Sequence, residues 1–252
     1  MIQMDRRQFV QFSIATAGAW LFDARSGFTA PWTPGVEQRA SASITGEERA
    51  LQQDIWALEL NYKPLRMISV DLPDAKTGKS SERLIWYLAY RVVNRVIPGL
   101  PPQKWEPRSE PLFVPQFTLV TQDEGPQKSY FDRVMPVAHA AILKRERHAY
   151  KNAVEIVGSV PSVTPLEAKP GTEKSLDGVA MWRGVDPTTD RFKIFITGLS
   201  NGYRKEVGQD GNPVTLRKTL VLDFWRPSDA FDQNEREVRP NPKNEQPQWI
   251  YK

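Results

Sequence analysis

Apolar positions along this chain recur mostly at a period of two. In Leu84–Asn94 (LIWYLAYRVVN), Leu84, Trp86, Leu88, Tyr90 and Val92 share one face of an extended strand, because side chains alternate along a strand. The other face, Ile85, Tyr87, Ala89, Arg91 and Val93, is too apolar for a solvated surface. The pattern therefore predicts a central strand covered on both sides. Shorter runs predict strands at Asp54–Asn61, Leu65–Leu72, Leu112–Thr121, Tyr130–Met135, Ala153–Val160, Val179–Trp182, Phe192–Thr197, Tyr203–Val207 and Val214–Trp225. Asp210-Gly211 between the last two reads as a tight hairpin turn, since glycine reaches positive φ without steric cost. Helical signals are few. Thr45 and Glu48 have capping-box spacing ahead of a short helix to Gln53. Pro136–Arg147 reads as the one internal helix, its proline in the first turn where a missing N–H costs nothing. Strands joined by turns rather than crossover helices predict a mainly β fold: an antiparallel β-sandwich, immunoglobulin-like, with one short internal helix.

The N-terminus breaks this pattern. Arg6 and Arg7 precede Phe9 and Val10, and an apolar run of 11 residues, Phe12–Phe22, contains only Ser13 and Thr16 as polar residues. A membrane-spanning helix needs about 20 apolar residues, a signal h-region only about 7–15. Arg6, Arg7, Phe9 and Val10 resemble the bacterial twin-arginine (Tat) signal; Asp5 and Gln11 depart from it. The organisation expected is a signal over 1–30, a flexible linker over 31–50, a sandwich domain over 51–226 and a polar tail over 227–252. The expected location is periplasmic or secreted, and not integral to the membrane.

Composition narrows the chemistry. The absence of cysteine rules out disulfides, thiol nucleophiles and cysteine-ligated metals. The 21 prolines require many loops and edges. A net charge of +4, with both signs interspersed, gives no basis for nucleic-acid binding.

Three stretches, Trp56–Pro73, Ile85–Asn94 and Gly184–Asn201, resemble an uncharacterised family of exported proteins from planctomycete-type bacteria. The resemblance implies export and a β domain; it carries no activity and no site residues.

Candidate sites are sparse. Gly198-Leu199-Ser200-Asn201-Gly202 matches the G-x-S-x-G of a nucleophile elbow, but both histidines, His139 and His148, lie upstream, and a strand rather than a helix follows. Nine residues apart on a helix, the histidines face opposite ways, one packed and one exposed, and form no metal pair. Lys144, Arg145, Arg147 and His148 complement a helix C-terminus. Asp186 and Asp190 flank a turn of the Asx type. No metal or cofactor is expected. Trp105, in a proline-rich loop, Trp182, and Trp249, in the polar tail, are the candidate contact residues, because an exposed indole offers a flat apolar face. The reading is a non-enzymatic envelope module that binds another protein. The alternatives are a carbohydrate-binding module using these tryptophans and, remotely, a serine hydrolase using Ser200.

Overall fold

The computed structural model describes residues 37–73, 78–95, 110–163, 173–208, 210–227 and 238–252. The first elements are β1 (Gln38–Ala40), α1 (Gly46–Leu51), β2 (Glu59–Tyr62), β3 (Arg66–Pro73), β4 (Ser80–Arg95), β5 (Leu112–Phe113), β6 (Gln116–Thr121), β7 (Ser129–Phe131) and α2 (Pro136–Glu146). They are followed by β8 (Gly158–Ser159), β9 (Ser162–Val163), β10 (Leu176–Arg183), β11 (Arg191–Thr197), β12 (Tyr203–Val207), β13 (Pro213–Trp225), β14 (Arg239–Pro240) and β15 (Gln248–Tyr251).

Two sheets, antiparallel except that β9 runs parallel to β4, face each other in a sandwich-like arrangement that does not close into a barrel, and β5 and β8 form a separate antiparallel pair. The first has the order β1-β2-β4-β10, with β3 and β9 also on β4; the second has the order β12-β13-β11-β6-β7, with β14 and β15 also on β13. Each is organised by one long strand. Along β4, β2 and β3 follow one another on the same edge: Tyr62 lies opposite Tyr90, and Arg66 opposite Tyr87. Four steps of one chain thus span three of the other, which is a β-bulge. The extra residue switches the inward set from Leu58, Leu60 and Tyr62 to Leu65 and Met67.

The expected two-sided burial of β4 is present. Trp86, Leu88, Tyr90 and Val92 face the second sheet, against Phe117, Phe192, Ile194, Leu222 and Phe224. Tyr90 stacks on Phe117 at 4.6 Å, and Trp86 meets Phe192 edge-on at 5.2 Å. Each such aromatic pair contributes about 1 kcal/mol beyond its buried area. Ile85, Tyr87 and Ala89 face outward under α2, which presents Ala138 and Ile142, one turn apart, to them. Pro136 opens α2 as expected, and Arg147, in the left-handed region, ends it.

Several boundaries differ from expectation. Ala153–Val160 is mostly turn, because Asn152 Oδ1 accepts the Val154 and Glu155 N–H groups and bends the chain; only Gly158–Ser159 is strand. The expected linker contains β1 and α1, and the expected tail contains β14 and β15, both paired to β13. The two regions also meet each other. The Thr45–Glu48 capping box forms, and Glu48 also accepts Lys218 Nζ at 2.7 Å and Tyr251 OH at 2.6 Å. Burial alone would raise the Glu48 pKa, but these donors outweigh it and hold it below its usual value.

Two details of the β10 edge set stability. Gly178 lies opposite Tyr90, and a Cβ there would sit 2.5 Å from Tyr90 Cζ. Beyond it, Asp132 clips the two sheets together: its Oδ1 accepts Met181 N–H at 2.8 Å, and Arg133 N–H donates to Met181 O at 3.0 Å. Burial pushes the Asp132 pKa up to about 6, against the opposing pull of the Met181 and Arg133 N–H groups.

Gly178→Ala is expected to cost about 1–3 kcal/mol in urea unfolding, as overpacking does where backbone and ring cannot both yield. Asp132→Asn keeps the acceptor and removes the buried charge. Because the folded pKa is raised, wild-type Asp132 favours folding most below about pH 4, and that benefit is lost as the pH rises through about 6. The variant should therefore be more stable than wild type by about 1–3 kcal/mol at pH 8. This advantage should fade towards pH 4, as read from unfolding midpoints across that range.

Candidate functional site

The outer face of the first sheet changes character halfway along. Beyond the apolar half under α2, cross-strand register places Arg39, Asn61, Arg91 and Asp177 in one row across β1, β2, β4 and β10. Directly opposed residues share a face and touch. Arg91 grips Asp177 with two parallel bonds, Nε to Oδ1 at 2.8 Å and Nη2 to Oδ2 at 2.9 Å. His148 Nε2 lies 2.6 Å from Asp177 Oδ2, and Ser175 Oγ donates to Oδ1. Burial would raise the Asp177 pKa, but His148 and Arg91 reverse this and bring it to about 2.

Neighbouring carboxylates are matched in the same way. Glu146, at the end of α2, accepts Lys63 Nζ at 3.0 Å, Arg66 Nη1 at 2.8 Å and Tyr87 OH at 2.7 Å. Glu59 takes Arg39 and Arg95, and Arg95 also reaches Glu173 at 2.8 Å. Burial raises the pKa of Glu37, with Arg91 and Lys63 opposing the rise. A carboxylate fixed as an anion between two cations is a weak base. The network is a lid of paired charges on the polar half of β4.

The residues singled out in the sequence scatter over the fold. Arg6, Arg7, Phe9, Val10 and Trp105 lie outside the described residues. Trp182 does not offer a face to a ligand: it is fully buried between the sheets, paired across strands with Trp86. Its period-two position marked a strand but not which layer covers it. Trp249 is half-buried and already engaged, its Nε1 donating to Ser41 O at 3.0 Å and Lys218 Nζ lying 5.5 Å from its ring. Neither histidine is the exposed one expected of the pair: His148 Nε2 pairs with Asp177, and His139 Nε2 bonds the Tyr150 carbonyl at 2.8 Å. Arg145 reaches back to Met67 O. Asp186 forms the expected Asx-turn, accepting Thr188 N–H and hydroxyl.

Ser200 is part of a packing loop. Its hydroxyl donates to Trp56 O at 2.6 Å and accepts Gly202 N–H at 3.0 Å, and β12 rather than a helix follows. The flanking glycines are there for close approach: a Cβ on Gly198 would lie 2.2 Å from Val114 O.

The feature that sequence reasoning missed is a groove where the two sheets part. Gln38, Arg39 and Tyr62 form one wall; Trp225, Arg239, Pro240, Pro242 and Glu245–Pro247 form the other. It encloses about 600 Å³, within the range of ligand sites. Trp225 is half-buried at the end of β13, and Tyr62, on the facing wall, is almost wholly buried. The only sequence signal was the Trp225-Arg226-Pro227 strand end beside a proline-rich tail.

No protein-family model, curated protein or solved structure matches the chain. The likeness of Trp56–Pro73, Ile85–Asn94 and Gly184–Asn201 to planctomycete-type exported proteins therefore rests on those residues alone.

Arg91→Ala would leave Asp177 with one partner fewer in a buried setting, at a cost of about 3 kcal/mol or more at pH 7. A lowered folded pKa stabilises above about pH 4 and loses its effect as the pH falls towards 2. The gap between wild type and variant should shrink over that window in acid-unfolding curves.

Proposed function

We propose that this chain is an exported, non-enzymatic binding module of the cell envelope, and that it holds a segment of another protein in the groove walled by Trp225. The single observation that carries this reading is the groove itself. It combines apolar surfaces from Trp225, Tyr62, Pro240, Pro242 and Pro247 with a polar rim of Arg39, Arg239 and Glu245. Apolar walls with a few placed polar groups are the composition of a recognition site. The conspicuous titratable cluster adjoins the groove through Arg39, which pairs with Glu59, and is internally neutralised. Export is supported by the pattern of Arg6, Arg7, Phe9 and Val10. Among the described residues, no helix is long and apolar enough to cross a membrane.

A second reading, a saccharide in the same groove, is favoured by the side-chain amides of Gln38 and Gln246 beside Trp225. An indole face and hydrogen-bonding amides together suit a sugar ring.

The test is affinity capture from a native envelope fraction with wild type and Trp225→Ala. An envelope protein retained by wild type and lost by the folded variant supports the first reading. Elution by soluble envelope glycans, without a protein partner, supports the second. Equal capture by both proteins removes the groove from consideration. A mature N-terminus beyond residue 30, read on the recovered bait, checks export.

A further inference from the structure

The end of the second sheet carries a feature independent of the groove. β12 and the first half of β13 form a two-stranded ribbon, with Tyr203 opposite Arg217 and Val207 opposite Pro213. Its turn is the expected one: Gly211 has φ +79°, and Gly208 N–H donates to Asn212 O at 2.8 Å. Apart from Arg204 and Leu216, which are half-buried, the ribbon is exposed, with Val207 78% and Tyr203 49% accessible; the Arg204 guanidinium lies 4.2 Å over its own chain's Tyr251 ring. A solitary ribbon is marginal in water, and an unprotected edge is a template for another strand.

Which backbone groups are free follows from the ladder. Lys218 N–H donates to Gly202 O and Gly208 N–H to Asn212 O, so the pairs 202/218 and 208/212 are the hydrogen-bonded ones. Bonded and non-bonded pairs alternate in an antiparallel ladder. Arg204 and Glu206 therefore bond to β13, while Tyr203, Lys205 and Val207 turn their N–H and C=O groups outward. Among the described residues nothing pairs with that edge.

We propose that β12 pairs antiparallel with β12 of a second copy of this chain, about a two-fold axis at Lys205. In that register the outward groups of Tyr203, Lys205 and Val207 meet those of Val207, Lys205 and Tyr203, forming about six backbone bonds. The side chains also match. Arg204 faces Glu206 twice, and Tyr203 faces Val207 twice, each an opposite-charge or aromatic–aliphatic pair on a common face. The one mismatch is Lys205 against itself. The arrangement is isologous, so it closes at two copies rather than growing into a fibre.

Analytical ultracentrifugation of the full chain tests this. Wild type should be a concentration-dependent dimer, tightened by Lys205→Thr, which removes the like-charge pair. Lys205→Pro removes an N–H that faces away from its own hairpin, as edge strands tolerate; it should be monomeric with an unchanged circular dichroism spectrum. Arg204→Glu should weaken the dimer about threefold to tenfold, and adding Glu206→Arg should restore it. The charge-swap pair decides the matter should Lys205→Pro misfold. A monomeric wild type, a dimer indifferent to Lys205→Pro, or no rescue by the swap would overturn the proposal.

Discussion

A strand of 16 residues buried on both faces from Ile85 to Val93 must be covered twice, and β4 is covered by two chemically different lids. On one side the second sheet supplies aromatic and aliphatic packing. On the other, α2 covers the apolar half and an ion network covers the rest. The switch occurs between Ala89 and Arg91. Arg91 could not be buried at that position without a carboxylate at hydrogen-bond distance, and β10 places Asp177 directly across from it. The register of β4 with β10 is thus fixed from both faces: by Tyr90 lying over Gly178 inside and by Arg91 gripping Asp177 outside. A one-residue slip would break both at once.

The electrostatics follow one rule. Each buried cation of the outer face and of the α1 clasp sits against a carboxylate that also accepts neutral or backbone donors. Charges taken out of water need this complete coordination. The +4 net charge of the chain accordingly says little about any partner. Outside these neutralised pairs lie the groove where the sheets part and the β12 edge, with which no described residue pairs.

Much of the fold was legible because local signals sufficed. The alternation in Leu84–Asn94 gave both faces of β4, Pro136 gave the start of α2, Thr45 and Glu48 gave α1, and Asp210-Gly211 gave the hairpin. Apart from Ala153–Val160, which Asn152 turns locally, the failures concern partners distant in sequence. Trp182 and Trp249 sit on strands of ordinary pattern, and their burial depends on which layer lands on them. β15 is a short strand in polar surroundings, and β13 recruits it by offering a free edge. The groove joins residues 38–39, 62, 225 and 239–247, which no window of the sequence brings together. Arg91 was visible as an oddity on an apolar face, but its answer, Asp177, lies 86 residues away.

The clasp at α1 bears on how the chain reaches this state. Tyr251 bonds Glu48 across 203 residues, and Trp249 bonds Ser41 across 208. Such contacts lose the most chain entropy on closing and place a protein among slow folders. On a growing chain β13 emerges before β15, so Lys218 meets Glu48 before Tyr251 is there to brace it. Until β15 follows, that edge of β13 stays open to whatever strand arrives first.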